Sequence, residues 1–558
     1  MARFYSGFLL FNLFLISLPA TVNAQDFYVN PDTGSNGNDG SSPTQAWKTI
    51  TFALTQVPAG ATLNLASGVY DVTGGEVFPI QILNDTTLLG AGLDQTRIVN
   101  SNPEKITIQI LDGATTAEVR GLAIIGGIIG LAVSNVSRSL HLDSILVLGS
   151  QWQGVEVKDG EAHIRNSIFL SCTRGVQYTG FAPSSCIVEG SISAGHLDNG
   201  FNQDNDGFLA LRSCLAVGNN QGFWATQGGA GPTGTISNFT SSRNRYGIGL
   251  GTGFGLEMTL GFKVTNSIMH ENSIRGINEE TSLDDPELRN VLFYNNGTNY
   301  FDEGSIPYNT EFEINNLVGN GTAPVENNIV ADPLFLGGPT GTSTDVQYNS
   351  DSFQSILTDF SASWKPGKFQ GAILYPHIEE NTFAYYVVSN DTSTVTVWGD
   401  ITDASFAATV VGATYEIVDY HLSRFSPAID AGYDPAVEAA DLDLDGNLRI
   451  AGEAVDIGAY EFGGCPPSPT PQPSWTPQET YTPYPTYTNP PTQTALPTYT
   501  FPATQTPLPT YTAPPSQTAL PTYTPYPTPF YGDLNGDGKV DVTDQLLLLQ
   551  NWYEDLGE

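Results

Sequence analysis

Between Gly121 and Asn316 the chain repeats a pattern of short apolar segments, each carrying one small polar residue at a fixed place. The anchors are Gly121, Ser144, Asn166, Gly190, Ser213, Asn238, Asn266, Asn290 and Asn316, spaced 22 to 28 residues apart. A glycine follows most anchors nine or ten positions on, as at Gly130, Gly154, Gly175, Gly200, Gly222, Gly247 and Gly276. A hydrophobic residue usually follows that glycine, as in Val155, Val176, Phe201, Phe223, Ile248 and Ile277. Each unit reads as a short strand, a polar turn, a glycine and another short strand, with no helical period. One unit cannot bury its apolar side alone, whereas stacked units bury a continuous core. The prediction is an all-β chain wound as a right-handed parallel β-helix. Phe201 and Phe223 are predicted to stack in its core. Asn238, Asn266, Asn290 and Asn316 are predicted to form a hydrogen-bonded ladder along its axis.

The alternation then changes character. Residues 345–421 alternate apolar and polar positions, as in Ala384–Val388 and Thr394–Trp398, the pattern of half-buried antiparallel strands. This predicts a small β domain inserted into a solenoid that spans residues 25–344 and closes over 422–464. At the N-terminus, Arg3 precedes an apolar run from Phe8 to Leu18 broken only by Asn12. Val22-Asn23-Ala24 is a small-residue cleavage pattern, so residues 1–24 are predicted to be a signal peptide. No later run reaches the length of a transmembrane helix. The expected location is secreted, extracellular or at the cell surface.

Lys and Arg number 20 and Asp and Glu 58, for a net charge of −38, yet only 14% of residues are charged. Average chains carry about 25%, so the acidity reflects missing cations. That excludes nucleic acid, which needs Lys and Arg against its phosphates, and disfavours an anionic membrane surface. It suits a hard cation such as Ca2+. Four cysteines do not make a disulfide framework in a chain this long. Cys172, Cys186 and Cys214 read as small buried hydrophobes, with a Cys186–Cys214 bridge left open.

From Cys465 to Tyr531 the chain is built of Pro, Thr and Tyr, with the unit Leu-Pro-Thr-Tyr-Thr recurring and Glu479 as the single charge. Such a segment is an extended, semi-rigid spacer of about 3.1 Å per residue. Residues 532–558 follow it. Counting Asp533 as position 1 places Asn535, Asp537, Asp541 and Asp544 at positions 3, 5, 9 and 12. Gly538 stands at 6 and the Lys539 carbonyl at 7. This is the ligand order of an EF-hand-like Ca2+ loop, followed by an apolar helix over Gln545–Trp552. The run Asp441, Asp443, Asp445, Gly446 opens the same way, but its position 12 is Gly452. The loop at 533–544 resembles one repeat of a type I dockerin, the module that plugs polysaccharide-degrading enzymes into a cohesin-bearing scaffold. Family dockerins carry two repeats, and one is present here.

Phe27-Tyr28-Val29-Asn30-Pro31, then Trp47-Lys48-Thr49-Ile50 and a small helix at Thr51–Gln56, resemble the opening module of secreted β-helix proteins, including some pectate lyases. Ala331–Phe335, Ser426–Gly432 and Val455–Glu461 resemble their closing segments. The stretch from Asn205-Asp206-Gly207-Phe208 to Gly222-Phe223-Trp224 resembles family-nine pectate lyases. Those enzymes bind an acidic sugar through Ca2+ held by Asp side chains, and a Lys abstracts the C5 proton. Asp206 fits the first calcium Asp. The other calcium positions fall on Asn220, Gln221 and Trp224, and the Lys position falls on Gly249, with Lys263 the nearest lysine. The resemblance therefore implies the fold more than the lyase reaction. Asp198, Asp204 and Asp206 are the candidate catalytic carboxylates of a lyase or glycosidase, and equally read as solvated turn residues. Two functions follow: a secreted protein acting on or binding extracellular polysaccharide and docked through Ca2+, or a non-catalytic adhesion β-helix with a local calcium clip.

Overall fold

The anchors of the repeat are the points where the backbone turns left-handed. Ser144, Asn166, Ser213, Asn238, Asn266 and Asn290 have φ of 48° to 53°, and Gly121 and Gly190 share the region. Asn, Ser and Gly tolerate that conformation at low cost, which is why the repeat marks them. Each anchor joins two strands at an angle, as Asn166 joins Glu161–Arg165 to Ile168–Leu170. A second left-handed residue ends the second strand: Ser171, Gly195, Gly218, Arg243, Glu271 or Asn295. The third strand of the same coil is then Arg174–Thr179. A computed structural model describes residues 25–464, except 84, 112–115, 135–138, 227–232, 252–260, 281–284, 303–305, 318–322, 380–382, 403–409 and 439.

Strands of successive coils pair in parallel on three faces. Glu161–Arg165 pairs with Ser185–Glu189 on the first, Ile168–Leu170 with Ile192–Ala194 on the second, and Arg174–Thr179 with Asn199–Asp204 on the third. The result is the predicted right-handed parallel β-helix. Phe201 lies in register with Phe223, and both are fully buried. Cys172, Cys186 and Cys214 are buried free thiols, so no bridge joins Cys186 to Cys214.

The asparagine ladder exists, but at other residues. Asn238, Asn266 and Asn290 do not bond to one another; their amides donate outward to the carbonyls of Asp456, Tyr433 and Ala431. Asn316 is off the line altogether, donating to the Phe312 carbonyl, and Asn327 takes the left-handed position instead. The ladder runs through Asn219, Asn244, Asn272 and Asn296, each side-chain nitrogen donating to the next side-chain oxygen at 3.0, 3.2 and 2.9 Å. These residues follow the second left-handed position of their coils. There the side chain turns into the coil, where a buried amide needs a partner from the next rung.

Coverings close the solenoid. At its start the helix Ile50–Ala53 presents its first amides to Glu76, with Ile50 N donating at 2.6 Å and Thr51 N at 2.9 Å. Towards its end the helix Glu311–Ile314 is fixed by a Thr310–Glu313 capping box and buries Ile314. Seven strands from Thr340–Thr342 to Thr414–Val418 form an antiparallel sheet. It packs on the outward side of the second face, where Leu148, Leu170 and Leu215 meet Ile373, Ala384 and Trp398. A Cβ at Gly218 would lie 2.6 Å from that of Ala384, so the close approach requires glycine. Arg243 clamps the two parts, donating to Glu271 at 2.7 Å and Glu416 at 2.6 Å while lying 4.7 Å above the Tyr375 ring.

Residues 422–464 run along the line of anchors. Asp441, Asp443 and Asp445 diverge rather than converge there. Asp443 accepts from the backbone of Asp445, Asn447 and Glu461, Asp441 accepts from Glu438 N, and Asp445 pairs with His421 at 2.6 Å. Among the described residues no cluster of His, Cys, Asp and Glu could hold a metal, and no helix is long and apolar enough to cross a membrane. The predicted signal peptide, the linker and the loop of Asp533, Asn535, Asp537, Lys539, Asp541 and Asp544 lie outside the described residues.

Candidate functional site

The third face differs from the other two in what points outward. From the core hydrophobic residue onward its strands alternate with a period of two, while the glycine just before it, as at Gly200 beside Ala216 and Asn219, also faces the core and returns the residue before that glycine to the outside. Val155, Val176, Phe201 and Phe223 point into the core in register, while Glu156, Gln177, Asn202 and Trp224 form a row on the outside. That row continues through Gly249, Asn278 and Phe301. Beside it run Gln153 paired with Arg174, and then Asn199, Gln221, Tyr246 and Arg275. On the other side run Lys158, Thr179, Asp204 and Thr226.

These side chains bind each other into a polar layer. Arg174 donates to Asp198 at 2.8 Å and to Gln177 at 2.9 Å. Gln177 donates to Asp204 at 2.7 Å, and Asn202 donates to Gln177 at 3.1 Å and to Asp204 at 2.9 Å. Thr226 donates to Asp204 as well, and Asn199 to Asn202. Lys158 pairs with Glu156 at 2.9 Å. Gln177, Asn199 and Asn202 are each only 2% exposed although they face outward, because the layer is packed as tightly as a core.

Trp224 is half-buried and lies along the sheet over Gly249. A Cβ at position 249 would overlap Cε3 and Cζ3 of the indole, so glycine is what makes room for the ring there. This is the position where the lyase resemblance expects lysine, and the indole occupies that space. Lys263 is no substitute. It sits on the first face, paired with Glu287 at 3.1 Å.

The three candidate carboxylates are placed by one strand, Asn199–Asp204. Asp198 stands before its first residue, Asp204 ends it and Asp206 lies in the turn beyond. Asp198 and Asp204 stand at opposite ends of that strand, and the Arg174 and Gln177 side chains lie end to end between their carboxylates, whereas a glycosidase pair faces a shared space of about 5 to 9.5 Å. Asp204 has three side-chain donors of its own, and Asp198 holds Arg174. Asp206 Oδ1 is buried with no donor among the described residues. The fold thus brings Asp198 and Asp204 into one network through Arg174 and Gln177 but not into a reacting pair. Gln177, Asn202 and Trp224 are the residues that sequence reasoning passed over. The available signal was their place, one residue after the core hydrophobic residue that follows the glycine of each repeat, where the side chain points outward.

Parallel coils with three strand faces, helix-capped at both ends, define a right-handed parallel β-helix. Residues 33–285 match a family model described as protein of unknown function, DUF1565. Among solved structures, pectate lyase Pel9A aligns at 16% identity and a TM-score of 0.40, covering 79% of this chain and 97% of that one. A rhamnogalacturonan lyase aligns at 13% identity and a TM-score of 0.31, covering 56% of this chain and 91% of that one. The A-module of the mannuronan C-5 epimerase AlgE4 of Azotobacter vinelandii aligns at 17% and 0.25, covering 49% and 73%. No curated protein matches the chain.

Proposed function

We propose that the protein is a secreted β-helix that binds extracellular polysaccharide along its third face. The observation that carries this is the Trp224 indole, lying half-buried over Gly249 beside a layer of planar amides. A sugar ring offers C–H groups to an aromatic face and hydroxyls to amides, the mix of apolar platform and few polar groups that ligand sites use. Binding is favoured over turnover because two of the three candidate carboxylates are engaged: Asp198 by Arg174, Asp204 by Gln177, Asn202 and Thr226. In the same reading, the C-terminal loop holds Ca2+ through Asp533, Asn535, Asp537, the Lys539 carbonyl, Asp541 and Asp544, and docks the chain to a cohesin-bearing scaffold. The test is electrophoresis of the chain through gels containing polysaccharide, beside an assay for unsaturated and reducing ends. Retardation without product supports binding. Product formation makes the protein a lyase or glycosidase, and no retardation in any polysaccharide sinks the proposal.

A further inference from the structure

We infer that the ligand of the third face is an uncharged polysaccharide, its chain running along the helix axis. The inference rests on the proposed binding role and names the class of glycan. Three observations carry it.

The first is that the cations of the face are already committed. Lys158 pairs with Glu156, Arg174 is held by Asp198 and Gln177, and Arg275 donates to Asn278 while lying 3.3 Å above the Phe301 ring. A polyuronate would have to break these pairs to find a counter-charge. The second is that calcium offers no bridge. The carboxylates of Glu156, Asp198 and Asp204 each face a different partner, and no metal-holding cluster occurs among the described residues.

The third observation points to a ligand directly. Gln153 Oε1, Asn199 Oδ1 and Gln221 Oε1 are buried amide oxygens with no donor among the described residues. Asn199 and Gln221 are register partners, and Gln153 belongs to the same outward row through Arg174. Buried acceptors are rarely left unpaired, and three in one row mark a line along which donors are missing. Sugar hydroxyls donate; an ionised carboxylate only accepts. Rungs of the sheet lie about 4.8 Å apart, a spacing comparable to one ring of an extended glycan. Successive rungs therefore meet successive sugars, with Trp224 in the adjoining row taking a ring face.

The experiment is electrophoresis of the full chain, carrying Asp537→Ala so that the C-terminal loop does not answer to calcium. The gels contain β-glucan, xylan, glucomannan or galactan on one side, and polygalacturonate or alginate on the other, each with CaCl2 or EDTA. The expected result is retardation by at least one neutral glycan, the same in both salts, and none by the acidic ones. Trp224→Ala and Gln221→Ala should each weaken it by about tenfold, with Trp224→Phe restoring most of it. Retardation by an acidic glycan equal to or above that by the neutral ones overturns this inference and leaves the binding role standing. Retardation by no glycan overturns both.

Discussion

The second and third faces of the solenoid are made by the same coils, one short turn apart, and they meet opposite fates. Inward, both supply the core: Phe169 and Ala216 on the second face, Phe201 and Phe223 on the third. Outward, the second face carries Leu148, Leu170 and Leu215, whereas the third carries Glu156, Gln177 and Asn202. The apolar face is covered by the antiparallel sheet of residues 340–418. On the polar face the side chains instead bond to each other and leave the Trp224 ring among them, half-buried over Gly249. The coil decides only where a strand goes; the outward row decides whether that strand becomes an internal seam or a working surface.

That contrast is broken most severely at the seam. Leu170 is 1% exposed between the solenoid and the covering sheet. Leu170→Ala is expected to cost about 2–5 kcal/mol, from lost transfer energy and the cavity left behind. Urea unfolding checks it. On the third face, Gln177→Ala removes hydrogen bonds but little apolar area and is expected to cost about 1–2 kcal/mol. Equal costs for the two variants would mean that the amide layer is as essential to folding as the apolar seam.

Next in size is the clamp between solenoid and covering sheet. Arg243→Ala leaves Glu271 and Glu416 facing one another across the gap that the guanidinium fills. The arginine side chain is 19% exposed, so solvent offsets part of the loss, and about 1–3 kcal/mol is expected. Limited proteolysis should then cut within residues 340–418 before the solenoid, while glycan retention by the third face survives. Simultaneous cleavage of both parts would show that the two faces do not open separately.

How much of this was legible in the sequence depends on how far apart the interacting residues lie. The coil was readable because its left-handed residues recur locally, and Asn, Ser and Gly are the residues that such a turn tolerates. The ladder was misplaced because Asn238 and Asn219 look alike in sequence. Only the turn geometry decides which of them points inward. The seam had a local sign as well. Ile145-Leu146-Val147-Leu148 and Ile168-Phe169-Leu170 are apolar at every position, the mark of a strand covered on both sides. What covers them begins about 170 residues later in the chain, and no local pattern announces such a partner. Asp198, Asp204 and Asp206 cluster in sequence, but a strand runs between the first two and carries them apart.

A smaller effect tests the coverings without touching either face. His421 lies between Asp419 Oδ1 at 2.5 Å and Asp445 Oδ2 at 2.6 Å, tying the end of the covering sheet to the 441–445 loop. Burial disfavours its charge, but the two carboxylates win and raise its pKa to about 10. A raised pKa on a base means stability that is complete below the unfolded value of about 6.5. It is lost as pH rises towards 10. The imidazole is 39% exposed, so solvent screening keeps the contribution small. Thermal midpoints should fall more steeply between pH 7 and 10 in the parent than in His421→Gln. Parallel curves would remove the tie.

The smallest expected effect on stability falls where the effect on binding is largest. Gly249 has a negative φ, so alanine there strains no backbone, and the substitution acts through the space its methyl group takes from Trp224. The indole is half-buried at the surface and can swing outward, so Gly249→Ala is expected to change stability by less than about 1 kcal/mol. It should nevertheless displace the ring from its place beside the amide layer. Retention by a neutral glycan should therefore fall about as far as in Trp224→Ala, with the unfolding midpoint unmoved. If Gly249→Ala instead unfolds the chain and leaves retention intact in the folded fraction, the indole is a lid on the polar layer, holding it together as the antiparallel sheet holds the apolar face. The two faces would then differ only in what covers them. If retention alone is lost, the third face is a surface kept open by a single missing methyl group.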